Sequence, residues 1–102
     1  MKSYSHSDCK NNKIDLKLDK LFNYKTNGFF IELGANNGLF QSNTAFFEKN
    51  RNWNGILIEP SKKGFELCKK NRTNSLCLNY ACVSKNYEKE YISGDFKDIH
   101  PM

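Results

Sequence analysis

Apolar positions along this chain fall into dense short runs and into sets spaced at helical intervals, and the two kinds alternate. Residues 29–33 (FFIEL) are apolar on both sides of an extended strand except at Glu32, the pattern of a strand inside a covered parallel sheet. Residues 55–60 (GILIEP) repeat that pattern and stop at a carboxylate and a proline. Residues 76–83 (LCLNYACV) hold enough β-favouring side chains for a third strand. Between the first two runs, Leu39, Phe40, Asn43, Phe46, Phe47 and Asn50 recur on one side at helical spacing. Ser42, Asn43 and Thr44 are all capping residues and put the start of that helix among them, with its end at 50–54. Ser61 caps a further helix over 62–71, which turns Phe65 and Cys68 inward and its lysines outward. Residues 14–22 are ambiguous by spacing. Ile14, Leu16 and Leu18 alternate like a strand, whereas Ile14, Leu18, Leu21 and Phe22 recur like a helix. Leucine and lysine favour helix, no β-branched run opposes it, and Gly28 marks the break that follows.

The predicted order is therefore helix, strand, helix, strand, helix, strand, the first half of a Rossmann-like parallel sheet. The flanks add little: 1–12 reads as a polar arm, 87–92 as the start of a further strand, and 93–102 as a loop. A chain of 102 residues makes one domain at most. It buries roughly two thirds of its unfolded surface, enough for a core but short for a doubly wound sheet of five or more strands.

The candidate chemistry lies where the strands end. Gly34-Ala35-Asn36-Asn37-Gly38 follows the first run directly, so a tight turn would aim backbone N–H groups at the strand end, where open α/β sheets bind ligands. A dinucleotide fingerprint needs a second glycine so that the backbone can approach a pyrophosphate. Asn36 stands there instead, and the next glycine is Gly38. That spacing argues against a nicotinamide-dependent oxidoreductase and suits the smaller amine and carboxylate of an amino-acid moiety. Glu59, at the end of the second run, has two oxygens for two ribose hydroxyls, and Pro60 beside it can fix the loop. A site that rejects pyrophosphate and accepts ribose describes a nucleoside bearing an amino acid, and S-adenosylmethionine fits. Glu32 is a carboxylate inside an apolar strand, where burial without partners is expensive. It reaches the turn's N–H groups or a ligand amine, or it faces solvent on an edge strand.

Charge and cysteines mainly exclude. The net charge of +5 comes almost wholly from lysine, since Arg51 and Arg72 are the only arginines. Nucleic-acid readers use arginine forks or alternating aromatic and basic residues, and neither occurs here. Lys62, Lys63, Lys69 and Lys70 read as the solvated face of a helix. Cys9, Cys68, Cys77 and Cys82 form no CxxC pair and no zinc spacing, and no second pair answers His6 and Cys9, so no metal is expected. Apolar neighbours around three of them point to reduced thiols in a cytoplasmic protein. No run approaches membrane length, and the first twenty residues do not resemble a signal peptide.

GFFIELGANNG, QSNTAFFEKN and WNGILIEP together resemble the FkbM-type methyltransferases, a branch of the class I S-adenosylmethionine-dependent enzymes. The resemblance covers residues 4–96 and is sharpest over 28–60. It implies an α/β fold, the Rossmann-like three-layer sandwich of class I methyltransferases, present as the first half of a mostly parallel sheet. It implies that Glu32, Gly34, Ala35, Asn36 and Gly38 form the cofactor loop, that Asn43 and Thr44 line it, and that Glu59 holds ribose beside Pro60. Cys82 would lie near the adenine. The implied reaction is O-methylation of a sugar or related hydroxyl on a small-molecule or glycan acceptor. Asn37 stands where the family commonly has Asp, which removes a charge beside the loop. The family's later strands and their acidic strand-end motif have no counterpart within these residues. The expectation is thus an arm and helix over 1–27 and a partial cofactor-binding domain over 28–102, with no catalytic base to nominate and self-association through an unpaired sheet edge. The alternative is a non-catalytic binding or regulatory module derived from such a domain.

Overall fold

A computed structural model of the chain describes residues 13–82. The expectations for 1–12, 83, 87–92 and 93–102 lie outside the described residues. The elements are α1 (Ile14–Leu21), β1 (Phe29–Leu33), α2 (Ala45–Asn50), β2 (Asn54–Ile58), α3 (Lys62–Asn71) and β3 (Leu76–Leu78). The strands form one parallel sheet in the order β1-β2-β3, so the fold is a small α/β unit.

Register sorts the side chains. Phe30 pairs with Gly55, Glu32 with Leu57, and Leu57 with Cys77, which puts these five on one face of the sheet. Phe29, Ile31, Leu33, Ile56, Ile58, Leu76 and Leu78 take the other face. The first face is the core, where Phe30 and Leu57 meet Ala35, Phe46, Phe47, Trp53 and Cys68. Gly55 is required there, because a Cβ would stand 2.1 Å from the Phe30 carbonyl oxygen and 2.5 Å from its ring.

Although short, α2 is sunk into this core, with Ala45, Phe46, Phe47 and Glu48 all buried. Phe47 packs on the Trp53 ring at 4.8 Å between centroids, and the indole N–H donates to the Lys25 carbonyl at 2.7 Å. α1 rests on the outside of α2. Leu18 reaches the core, and buried Asp19 accepts two bonds from Arg51, at 3.0 and 2.8 Å.

The structure departs from the sequence expectation in three places. The second helix starts within the expected span, with Thr44 at its N-cap, but the spacing that ran back to Leu39 is not helical, because Asn37 Oδ1 accepts the N–H groups of Leu39 and Phe40 and Gln41 is left-handed at φ 53°. Leu39, Phe40 and Asn43 therefore lie in turns. β3 ends at Leu78, where the Asn79 amide turns back to the carbonyls of Glu59 and Pro60, at 2.8 and 3.0 Å. Finally, β1 is apolar on both sides yet covered on one. Among the described residues it pairs with β2 alone, and Phe29, Ile31 and Leu33 are 61%, 63% and 60% exposed.

Candidate ligand site at the strand ends

β1 and β2 finish side by side, Leu33 opposite Ile58, and residues 34–44 cross over both ends. The N–H groups of Gly34 and Ala35 donate to the Ile58 carbonyl at 2.8 and 3.0 Å, so the loop is stitched to β2 at once. Gly34, Asn36 and Gly38 are all left-handed, with φ 70°, 58° and 89°. Glycine, and to a lesser degree asparagine, tolerates that region. Gly38 has a second constraint, since a Cβ would lie 2.7 Å from Arg72 Cγ.

The expectation of a turn with free donors is met only at Asn37, whose N–H has no partner among the described residues. Asn36 N–H donates to Glu59 Oε1 at 2.6 Å, Gly38 N–H to the Ala35 carbonyl at 2.9 Å, and Leu39 and Phe40 to Asn37. A loop folded this far over the sheet must satisfy its own backbone.

Glu59 is buried just beyond β2 and braces two segments, because its other oxygen accepts Ser61 N–H at 2.8 Å. Ser61 in turn caps α3 by accepting Gly64 N–H at 3.1 Å, as its position predicted. Each Glu59 oxygen keeps a second acceptor lobe.

Glu32 does not reach the turn's N–H groups. It points to the core side and accepts two hydroxyl donors on one oxygen: Ser42 at 3.0 Å and Thr44 at 2.5 Å. Its Oε2 accepts no bond from the described residues and is not sealed from solvent. Burial raises its pKa above the ordinary carboxylate value, against the opposing pull of the Thr44 hydroxyl, the Arg72 charge and the Ser42 hydroxyl.

Behind these carboxylates sits a fully buried arginine that sequence reasoning did not place in the site. Arg72 Nε donates to Glu48 Oε1 at 2.9 Å, Nη1 to the Gly38 carbonyl at 2.8 Å and to Ser42 Oγ at 3.1 Å, and Nη2 to Thr44 Oγ1 at 2.8 Å. Its plane lies over Phe30, 5.4 Å from the ring centre. Glu48 also accepts Asn74 N–H at 3.0 Å and the Ser75 hydroxyl at 2.5 Å, and the neighbouring Asn71 amide donates to the Asn37 carbonyl at 2.8 Å. The available signal was compositional: two arginines in a chain whose other cations are lysines. Arginine is the cation that tolerates burial in a fork of acceptors.

Of the residues singled out from sequence, Glu32, Gly34, Ala35, Asn36, Gly38, Thr44, Glu59 and Pro60 belong to this one region. Ala35 is fully buried and belongs to the core. Asn43 is exposed between Ser42 and Thr44. Pro60 is half-buried and joins only through its carbonyl. Cys82 is exposed as a free thiol, and no bond ties it to the loop. Cys68 lies beneath Gly38 with its sulfur 3.5 Å from that of Cys77, and burial and that neighbour push its pKa up. Among the described residues no group of three or more His, Cys, Asp or Glu could hold a metal ion, and no helix is long and apolar enough to cross a membrane.

Scans of the chain against protein-family models, characterised proteins and solved structures found no match.

Proposed function

We propose that the strand ends form the cofactor half-site of an FkbM-type, S-adenosylmethionine-dependent methyltransferase acting on a hydroxyl of a sugar or related small molecule. The fold is then the first half of a class I Rossmann-like sandwich, in a cytoplasmic protein. The observation that carries the reading is the convergence of two strand-end carboxylates on one left-handed loop, with an oxygen of Glu32 left over. Glu32 Oε2 suits an ammonium donor, and the remaining acceptor lobes of Glu59 suit hydroxyls. S-Adenosylmethionine would supply an electrophilic methyl group. The chain's own part is to bind and orient: Asn36 and Glu59 hold the loop closed, and Ser42 and Thr44 fix the Glu32 carboxylate. Glu32 and Glu59 are both engaged by the chain's own donors, and neither is assigned as the base for the acceptor hydroxyl.

Calorimetric titration with S-adenosylmethionine, S-adenosylhomocysteine and an oxidised nicotinamide dinucleotide tests the proposal. Binding of the first two in preference to the dinucleotide is expected. Tighter dinucleotide binding overturns it. The second reading, a non-catalytic module, is favoured by the exposed apolar sheet face at Phe29, Ile31, Leu33 and Leu76, which would suit a protein partner. Failure of the folded chain to bind any of the three ligands would select it.

A further inference from the structure

We propose that Arg72 is the positioning residue of this site, turning the hydroxyl protons of Ser42 and Thr44 onto one oxygen of Glu32 so that the other oxygen stays open to a ligand donor. The inference rests on the ligand reading above for its consequence, but the relay itself is a property of the chain.

The argument is one of donors and acceptors. A hydroxyl has one proton and two acceptor lobes. Around Ser42 Oγ stand three donors: Arg72 Nη1 at 3.1 Å, Thr44 N–H at 3.2 Å and Ala45 N–H at 3.0 Å. These three donors, two of them backbone N–H groups, fill its acceptor side; Thr44 Oγ1 lies 3.5 Å away, so the closer acceptor for the Ser42 proton is Glu32 Oε1, at 3.0 Å. Thr44 depends on Arg72 more fully: its hydroxyl accepts from Arg72 Nη2 and donates to the same Glu32 oxygen. Arginine cannot act as an acceptor, so the direction cannot reverse. Arg72 and Glu32 form no direct ion pair among the described residues; the two hydroxyls stand between them.

The electrostatic setting agrees. The groups around Glu32 are Arg72, Cys68 on α3 and, across the guanidinium, Glu48 on α2. Cys68 remains a thiol because burial raises its pKa, and Glu48 is already paired with Arg72. The Thr44 hydroxyl, the Arg72 charge and the Ser42 hydroxyl, with the Thr44 backbone N–H, oppose the burial of ionised Glu32.

The test follows the Glu32 carboxyl by carbon NMR titration, assigned with Glu32→Gln, in the whole chain. Thr44→Val removes one hydroxyl and keeps Arg72, so the Glu32 midpoint should move to higher pH. Thr44→Ser should restore it. Arg72→Lys keeps charge but loses the fork, and should also raise the midpoint. Combining it with Thr44→Val should give less than the sum of the two shifts. In the wild-type protein, the Arg72 guanidinium nitrogens should titrate with the Glu32 midpoint, which needs no variant to fold. S-Adenosylhomocysteine affinity near neutral pH should fall roughly three- to tenfold in Thr44→Val and recover in Thr44→Ser. The acid limb of its binding should move to higher pH with the carboxylate.

A Glu32 midpoint unmoved in a folded Thr44→Val protein, or Arg72 nitrogens silent through the Glu32 titration, overturns the relay. Failure of the wild type to bind the adenosyl ligands removes the proposed cofactor instead, while the carboxyl titration still decides Arg72.

Discussion

The chain buries its two arginines in different ways, and the contrast separates what holds the fold from what shapes the site. Among the described residues, the fork of Arg51 bonds Asp19 and lies near the rings of Phe46 and Tyr24, at 5.4 and 5.6 Å from their centres. Its work is to fasten α1 to the body. Arg72 divides its donors among Glu48, a loop carbonyl and two hydroxyls, so its contacts pin one stretch, residues 38–48, at four points. A fork spent on one partner docks an element. A fork spread over several sets the shape of a loop and the direction of its protons.

The sharpest way to break this comparison is Arg72→Ala. It leaves Glu48 buried without its cation and should cost about 3–5 kcal/mol, a large part of the stability of a small domain, measured by urea denaturation. Replacing the pair together, Arg72→Met with Glu48→Leu, should recover much of that loss while the 34–44 loop loosens in hydrogen exchange. A loop with unchanged protection would show that Arg72 only fills space.

Arg51→Ala removes two bonds to Asp19 and should cost less, about 2 kcal/mol, because Arg51 keeps some contact with solvent. Its decisive readout is ligand affinity, which should not change; a loss comparable to that of Arg72 variants would erase the distinction between the two centres.

Glu32→Gln sharpens the comparison from the carboxylate end. Because burial raises the Glu32 pKa in the folded state, its contribution is most favourable at low pH and is lost as pH rises through that folded value. The Gln variant should therefore melt slightly higher than wild type near neutral pH. That gain should vanish below the ordinary carboxylate range. A gain independent of pH would mean that Glu32 does not ionise in the site.

The smallest effect belongs to the outer sheet face. Ile31→Thr should stay within about 0.5 kcal/mol of wild type, since Ile31 is largely exposed. A cost like that of a core deletion would mean that this face is covered in solution.

Much of the framework was legible because it rests on local rules. The dense run at Phe29–Leu33, the cap at Ser61 and the leucine spacing of α1 each predict an element that the structure contains. The carboxylates at 32 and 59 were legible as anomalies, an acid inside an apolar run and an acid ending one. Their partners were not. Whether Glu59 meets Asn36 N–H depends on the loop folding back across β2, and nothing between residues 34 and 44 announces that. The helical spacing at Leu39 and Phe40 misled for a related reason: a side chain, Asn37, takes backbone donors that periodicity assigns to a helix. Arg72 was seen only as part of the charge count, because its four partners lie in one stretch, residues 38–48, far from it in the sequence.

That separation has a kinetic consequence. The contacts of Arg72 with Glu48, Thr44, Ser42 and Gly38 span 24, 28, 30 and 34 positions along the chain. None can form until the crossover through α2, β2 and α3 has brought the loop and the end of α3 together, and closing such spans is slow relative to local structure. The cluster should therefore lock after the folding barrier has been crossed. Changes at Arg72 should leave the refolding limb of a chevron nearly where it was and steepen the loss on the unfolding side, making this buried charge a latch on the lifetime of the native state.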